Sequence, residues 1–412
     1  MPETPVCTNL FNTFSSCMVQ AGWDPGAAEF ISILLGVVLV ATFPLLVTVL
    51  LIWVERKIAA RIQDRIGPNR VGPFGLIQPL ADVVKLIGKE DITPAGADKL
   101  IFNLAPPFAV AAVVLVWAVV PFTPYHYGAN LDIGALYFIT VASIGTLAIM
   151  MAGWASNNKY ALLGAFRVVA QLISYEVPLA LAVLVVVMLA GSMSMVDIVT
   201  AQYGMWFMFT APIAAFMFLI SSQAETGRGP FDLIEAESEL VAGFNIEYSG
   251  MKFAMFFAGE FMHVFTNGVL MATLFSGGWL GPFAETAPLL GFVYLMIKAS
   301  LWYFIALWLR NSLPRLRIDQ LMNFNWKFLV PLSIVNVLVT AFLLRVTTDL
   351  GIAPADPGNF VQNLPQAAVL LLGNVLIGLG TLTILRNQGR QEREAVDERR
   401  DIHEIAPAAA GD

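Results

Sequence analysis

Apolar residues run in nine long blocks along the chain, near 30–54, 100–123, 133–156, 168–190, 204–224, 253–276, 286–309, 328–346 and 364–385. A helix rises 1.5 Å per residue, so each block is long enough to cross about 30 Å of hydrocarbon. The pattern predicts an all-α fold: a polytopic integral membrane protein with about nine transmembrane helices. A different pattern interrupts it after the first block. From Leu76 the apolar positions are 76, 77, 80, 83, 84 and 87, with Gln78, Asp82, Lys85 and Lys89 opposite. That spacing predicts an amphipathic helix lying at the membrane surface. Gly67, Pro68, Gly72 and Pro73 set a tight turn before it. Such a helix serves as a plain interfacial anchor, or it roofs a lipid-accessible cavity lined by Arg56, Arg65 and Asp82. Spacing alone leaves both open.

Composition agrees with the blocks. The 412 residues are 58% hydrophobic and 13% charged, with mean hydropathy +0.73. A soluble fold would leave much of that surface with no core to enter. A net charge of −7 gives no case for nucleic acid. Cys7 and Cys17 are the only cysteines, which excludes a cysteine-ligated metal or iron–sulfur cluster within the chain. No basic stretch or small-residue cleavage site precedes the first block, so the first helix is expected to be retained. No internal repeat is visible, which weakens an inverted-repeat transporter.

Lysine and arginine fix the orientation. They fall after block one (Arg56, Lys57, Arg61, Arg65, Arg70, Lys85, Lys89, Lys99), block three (Lys159, Arg167), block five (Arg228, Lys252), block seven (Arg310, Arg315, Arg317, Lys327) and block nine (Arg386, Arg390, Arg393, Arg399, Arg400). Only Lys298 and Arg345 lie elsewhere. The positive side is cytoplasmic, so the N-terminus is expected outside and the C-terminus inside. Cys7 and Cys17 then lie where a disulfide persists, although two free thiols in a loosely held terminus fit as well. The tail 386–412 mixes five Arg with seven acids and reads as a solvated helix fraying into disorder.

Carboxylates are concentrated where so apolar a chain has few charges to place. Glu225, Asp232, Glu235, Glu237, Glu239, Glu247 and Glu260 occupy one window, against Arg228 and Lys252. A helix beginning after Gly229-Pro230 and running from Phe231 to about 241 would align Asp232, Glu235 and Glu239 at i, i+3 and i+7. Calcium would instead want alternate loop ligands around a glycine turn. A solvated acidic face does not suit the interleaved Phe231, Leu233, Ile234, Leu240, Val241 and Phe244. Three ionisable groups, Glu260 among them, lie within the bilayer. Glu176 sits roughly 13 Å past Arg167, Glu260 roughly 12 Å past Lys252, and Lys298 roughly 18 Å from Arg310 along their helices. Each would cost on the order of 2.5–3.5 kcal/mol facing lipid at a helix centre, so each is expected to face the protein interior. A static ion pair explains any one of them. Three on separate helices, beside an acidic loop, fit a proton path better.

The stretches WVERKIAARIQDRIGPNRVGPFGLIQPLADVVKL and ETGRGPFDLIEAESELVAGFNIEYSG resemble the two signature regions of the H-subunit family of bacterial NADH–quinone oxidoreductase, respiratory complex I, whose mitochondrial equivalent is NADH dehydrogenase subunit 1. GWASNNKYALLGAFRVVAQLISYEVPLAL and RNSLPRLRIDQLMNFNWK match too. The resemblance covers about residues 30–346. It implies an eight-helix quinone-chamber domain over 30–346; the chain exceeds that core at both ends, with an extracytoplasmic segment over 1–29, an extra loop and ninth helix over 347–385, and a cytoplasmic charged tail over 386–412. The extensions resemble actinobacterial versions, a hint of menaquinone rather than ubiquinone.

The resemblance implies a membrane subunit that shapes the quinone chamber and couples quinone reduction to proton translocation in the cell membrane. It implies a proton relay through Glu176, Glu225, Glu235, Glu237, Glu239, Glu247 and Glu260, which Lys298 joins on its depth in the bilayer. It places Arg56, Arg65, Asp82, Arg228, Phe231, Asp232, Arg310, Arg315 and Arg317 around the chamber. Quinone is then the substrate, with no flavin or iron–sulfur cluster on this chain. The implied partners are the peripheral-arm subunits that carry the terminal iron–sulfur cluster, the small membrane subunits leading to antiporter-like pumps, and membrane lipid. Two alternatives remain: an H-like subunit of a membrane-bound hydrogenase or other donor:quinone oxidoreductase, and an autonomous ion transporter.

Overall fold

The computed structural model describes residues 15, 18, 19, 22–232, 241–352, 354 and 360–405, with backbone alone at 388, 389 and 391–405. Among these residues the helices are α1 (Pro25–Ile62), α2 (Gln78–Ile87), α3 (Lys99–Val116), α4 (Gly134–Ala155), α5 (Lys159–Ala190), α6 (Met195–Thr200), α7 (Phe207–Thr210), α8 (Pro212–Glu225), α9 (Gly250–Phe275), α10 (Pro288–Ser312), α11 (Ile318–Phe324), α12 (Val330–Asp349) and α13 (Phe360–Ile405). Among the described residues eight helices are long and apolar enough to cross a membrane, α11 and α12 counting together as one. The chain is an all-α, multi-pass membrane protein.

The first helix extends past the expected 30–54 at both ends. The Asp24 carboxylate accepts from the amides of Gly26 (3.1 Å) and Ala27 (3.2 Å), which caps it at the start. Its far end runs on to Ile62, so Glu55 and Arg56 stand on the same helix as the apolar block. The amphipathic helix forms as α2, and Leu80, Val84 and Ile87 on its apolar stripe are exposed. The ninth block and the tail as far as Ile405 form one helix, α13, and residues 406–412, where the tail was expected to fray, lie outside the described residues.

The fifth block is not the continuous span expected over 204–224. It divides into four-residue α7 and 14-residue α8, joined at Ala211 with φ −133° and ψ 61°. The cause is local. Pro212 has no amide hydrogen, and its ring drives the preceding residue out of the helical region. Backbone freed this way inside a membrane must find partners. Asn374 of α13, buried at 3% exposure, supplies both: its Nδ2 donates to the Thr210 carbonyl (3.3 Å) and its Oδ1 accepts from the Ile213 amide (3.4 Å). The eighth block is also bent. A π-helical turn over Asn325–Leu329 joins α11 to α12, and buried Asn325 donates to the Ser174 carbonyl of α5 at 2.6 Å.

The core lies between α4, α5, α8 and α9, around fully buried Tyr175, Phe218, Leu274 and Phe275. Small residues bring the helices close. A Cβ on Gly153 of α4 would stand 2.3 Å from the Ala165 side chain of α5, and one on Gly268 of α9 would stand 3.0 Å from the Ala299 carbonyl of α10. This close packing carries charged positions of α1, α9 and α10 to one end of the bundle.

Candidate functional site: a buried charge cluster beside a carboxylate-lined cavity

Four elements meet at the end of the bundle where the basic residues gather. Arg228, just past α8, is 2% exposed. Its Nη1 lies 2.5 Å from Glu55 Oε2 on α1, and its Nε lies 2.9 Å from Glu260 Oε1 on α9. The guanidinium also sits 4.2 Å from the centre of the Phe261 ring. Glu55 is shared: Arg310 of α10 pairs with its Oε1, and the Tyr303 hydroxyl donates to its Oε2 at 3.3 Å. Burial works against the Arg228 charge, but Glu55 and Glu260 more than offset it and hold the guanidinium above its ordinary value. Two carboxylates and two guanidiniums thus balance one another, with Arg228 and Glu55 buried and Glu260 and Arg310 partly exposed.

Glu260 also faces the other way. With Thr146, Glu225, Thr226, Asn245 and His263 it supplies the polar part of a mostly apolar cavity of about 90 Å³. A smaller cavity of about 10 Å³, room for one water, is lined by Glu176, Glu225, His263, Thr266 and Asn267. Glu225 ends α8 and is 8% exposed, and it borders both cavities, as does His263. The Glu225 Oε1 to His263 Nε2 distance is 3.8 Å. Glu176 Oε1 and Asn245 Oδ1 are buried without a protein hydrogen-bond partner among the described residues, and each borders one of these cavities. The arrangement can hold water and pass protons among Glu260, Glu225 and Glu176.

The surface helix is tied to the same helix, α1. Arg56 Nη1 lies 2.5 Å from Asp82 Oδ2, and Lys85 stands 3.6 Å from the other oxygen of that carboxylate. The Trp53 indole donates to the Phe74 carbonyl at 3.2 Å. The turn, α2 and α1 therefore form one corner beside the charge cluster.

The remaining sequence-chosen residues scatter around this frame. Glu247 accepts from Asn158 Nδ2 at 2.7 Å and fastens the loop before α9 to the start of α5. Lys298 is not near the carboxylates. Its Nζ donates to the carbonyls of Gly278 (3.0 Å) and Leu280 (2.8 Å) at the opposite end of the bundle, over the Trp206 ring. Phe231 is buried against Tyr175, and its carbonyl accepts from Gln171 at 2.9 Å. Asp232 is half-buried, while Arg65, Arg315 and Arg317 are exposed. Glu235, Glu237 and Glu239, with the helix expected from Phe231 to about 241, fall largely outside the described residues, as do Cys7 and Cys17.

Sequence reasoning missed Glu55, Tyr303 and His263. Glu55 stands directly before Arg56 in WVERKIAAR, beside the basic residues that set the orientation. An acid ending an apolar helix among bases was the available signal. His263 follows Glu260 by three positions on α9, which puts both side chains on one face.

The family model for NADH dehydrogenase matches residues 35–341. The chain is 50% identical over 306 residues to the NADH-quinone oxidoreductase H subunit 1 of Geobacter metallireducens, covering 72% of this chain and 91% of that protein. It is 47% identical over 324 residues to the NADH-quinone oxidoreductase H subunit of Dehalococcoides mccartyi, covering 79% and 90%. It is 50% identical over 293 residues to the corresponding protein of Brevibacillus brevis, covering 71% and 87%. The chain belongs to the NADH dehydrogenase family. Its matched region includes Glu55, Arg228, Glu260, His263 and Arg310, and excludes α13.

Proposed function

We propose that this chain is the membrane subunit of a proton-translocating NADH–quinone oxidoreductase, that it forms the membrane wall of the quinone chamber, and that its carboxylates couple quinone reduction to proton movement. One observation carries the coupling: Glu260 belongs at once to the charge cluster with Arg228 and Glu55 and to the cavity that reaches Glu225. A change of charge on the cluster side alters the field on Glu260, and Glu260 is placed to hand that change to protonatable groups deeper in the bundle. The Arg56–Asp82 corner and the exposed apolar stripe of α2 suit a rim over which an apolar quinone passes from lipid. The substrate is a quinone, menaquinone or ubiquinone. The basic end faces the cytoplasm and docks the peripheral arm that brings electrons, and the membrane face meets the small subunits leading to the pumps.

The test is isolation from native membranes in mild detergent. The expected result is co-purification with a flavin-containing NADH-oxidising module and NADH-driven quinone reduction. Recovery with hydrogenase subunits, or of the chain alone with transport activity, would replace this reading by one of its rivals.

A further inference from the structure

We infer that His263 is a proton-carrying link between the two cavities, taking a proton from the Glu260 side and delivering it to Glu225. His263 and Glu225 are the titratable side chains that line both cavities; Glu260 lines only the larger and Glu176 only the smaller. The inference rests on the carboxylate path proposed above and adds a member to it.

The geometry sets the step. Glu260 and His263 are three positions apart on α9, so the imidazole lies one turn deeper than the carboxylate. Its Nε2 faces Glu225 Oε1 at 3.8 Å, too far for a direct hydrogen bond and well within reach through one water or a small ring rotation. A neutral imidazole has a donor on one nitrogen and an acceptor on the other. A proton arrives on the acceptor nitrogen, the N–H on the other ring nitrogen is given up to the Glu225 carboxylate, and the ring is left neutral in the opposite tautomer. Glu260 loses a proton and Glu225 gains one, so charge and atoms balance. A ring flip or a matching back-transfer restores the first tautomer. The charged groups facing His263 are Glu225 from α8, Glu260 from its own helix and Glu176 from α5 across the smaller cavity. They favour passage of a positive charge without fixing it, since none lies in direct hydrogen-bond contact.

The experiment uses the assembled complex in sealed membrane vesicles, with three variants measured side by side. His263→Asn keeps polarity and near size but does not titrate. His263→Ala leaves room for free imidazole. Glu225→Gln tests the underlying path. NADH oxidation by a water-soluble acceptor reports assembly of the electron-input module. The expected result for His263→Asn is normal assembly, with quinone reduction and proton pumping falling together by about fivefold or more. Added imidazole should restore part of the loss in His263→Ala and leave wild type unchanged. Turnover and pumping within about twofold of wild type in His263→Asn would overturn the inference. If Glu225→Gln loses activity in that case, the carboxylate path stands without the histidine; if it does not, the path fails too. Should His263→Asn not assemble, His263→Ala with imidazole decides, and an assembled but unrescued His263→Ala counts against the link.

Discussion

Arg228 Nη1 and Glu55 Oε2 stand 2.5 Å apart across 173 positions of sequence, and the bond between them joins the first helix to the loop after α8. Neither group has bulk water to fall back on: Arg228 is 2% exposed and Glu55 7%. Replacing one partner leaves the other as a buried, poorly compensated charge, which costs on the order of 3–5 kcal/mol.

The first prediction concerns this pair. Arg228→Leu should leave Glu55 with Arg310 and the Tyr303 hydroxyl, and Glu260 with no ion-pair partner from the cluster. Thermal unfolding of the detergent-solubilised complex should begin well below wild type. Glu55→Gln in the same background should recover part of the loss, since the two changes act on one contact. Strictly additive losses would mean that the pair contributes no mutual energy.

A second prediction follows from the exposed stripe of α2. Leu80 is 55% exposed, so its replacement disturbs no core. Leu80→Trp should slow quinone reduction while leaving NADH oxidation by a water-soluble acceptor intact. Equal loss of both activities would indicate misassembly and withdraw the support for a quinone path over this helix.

The membrane blocks and the surface helix were legible in the sequence because apolar runs and a 3.6-residue stripe are local signals, whereas eight of the nine expected spans are long and apolar enough to cross among the described residues. What was not legible was set by partners far along the chain. The break at Ala211 has a local cause in Pro212, but the apolar run 204–224 hid it, and its repair depends on Asn374, 161 positions after Ile213. Glu55 is one charge in a basic segment, and only the folded bundle brings it to Arg228, Tyr303 and Arg310. Lys298 was chosen on depth alone. Depth shows that a buried lysine needs partners without showing that backbone carbonyls supply them.

The third prediction uses that distinction. Lys298→Met should lower stability, because the Gly278 and Leu280 carbonyls lose their donor, while turnover per assembled complex stays close to wild type. Lost turnover at unchanged stability would return Lys298 to the proton path.

Asn374 gives a fourth. Asn374→Leu should leave the Thr210 carbonyl and the Ile213 amide without the partners they have now, at about 1–3 kcal/mol for each buried polar group. The change should appear as a lower melting temperature of the complex. Truncation after residue 359 should do at least as much harm, since it removes α13 entirely. A truncated chain of full stability would make the ninth helix an appendage rather than part of the bundle.

The last prediction addresses the carboxylates that border the cavities. Glu176, Glu225 and Glu260 stand on α5, α8 and α9, and a Glu→Gln change at each keeps size and hydrogen bonding while removing titration. At Glu176 and Glu225 no ion pair with a lysine or arginine is broken, so assembly should survive: a neutral amide is easier to bury than a carboxylate. If these groups carry protons, quinone-dependent turnover and pumping should fall together by about tenfold or more, a smaller loss than the roughly hundredfold or more that a positioned acid–base group contributes. Glu260→Gln differs, because it also loosens Arg228. It should lower both activities and the melting temperature, and the stability loss separates its two roles. Normal turnover and pumping in both Glu176→Gln and Glu225→Gln would remove the path through the cavities. Electron flow retained with pumping lost would instead assign these groups to proton transport alone, outside the control of the quinone step.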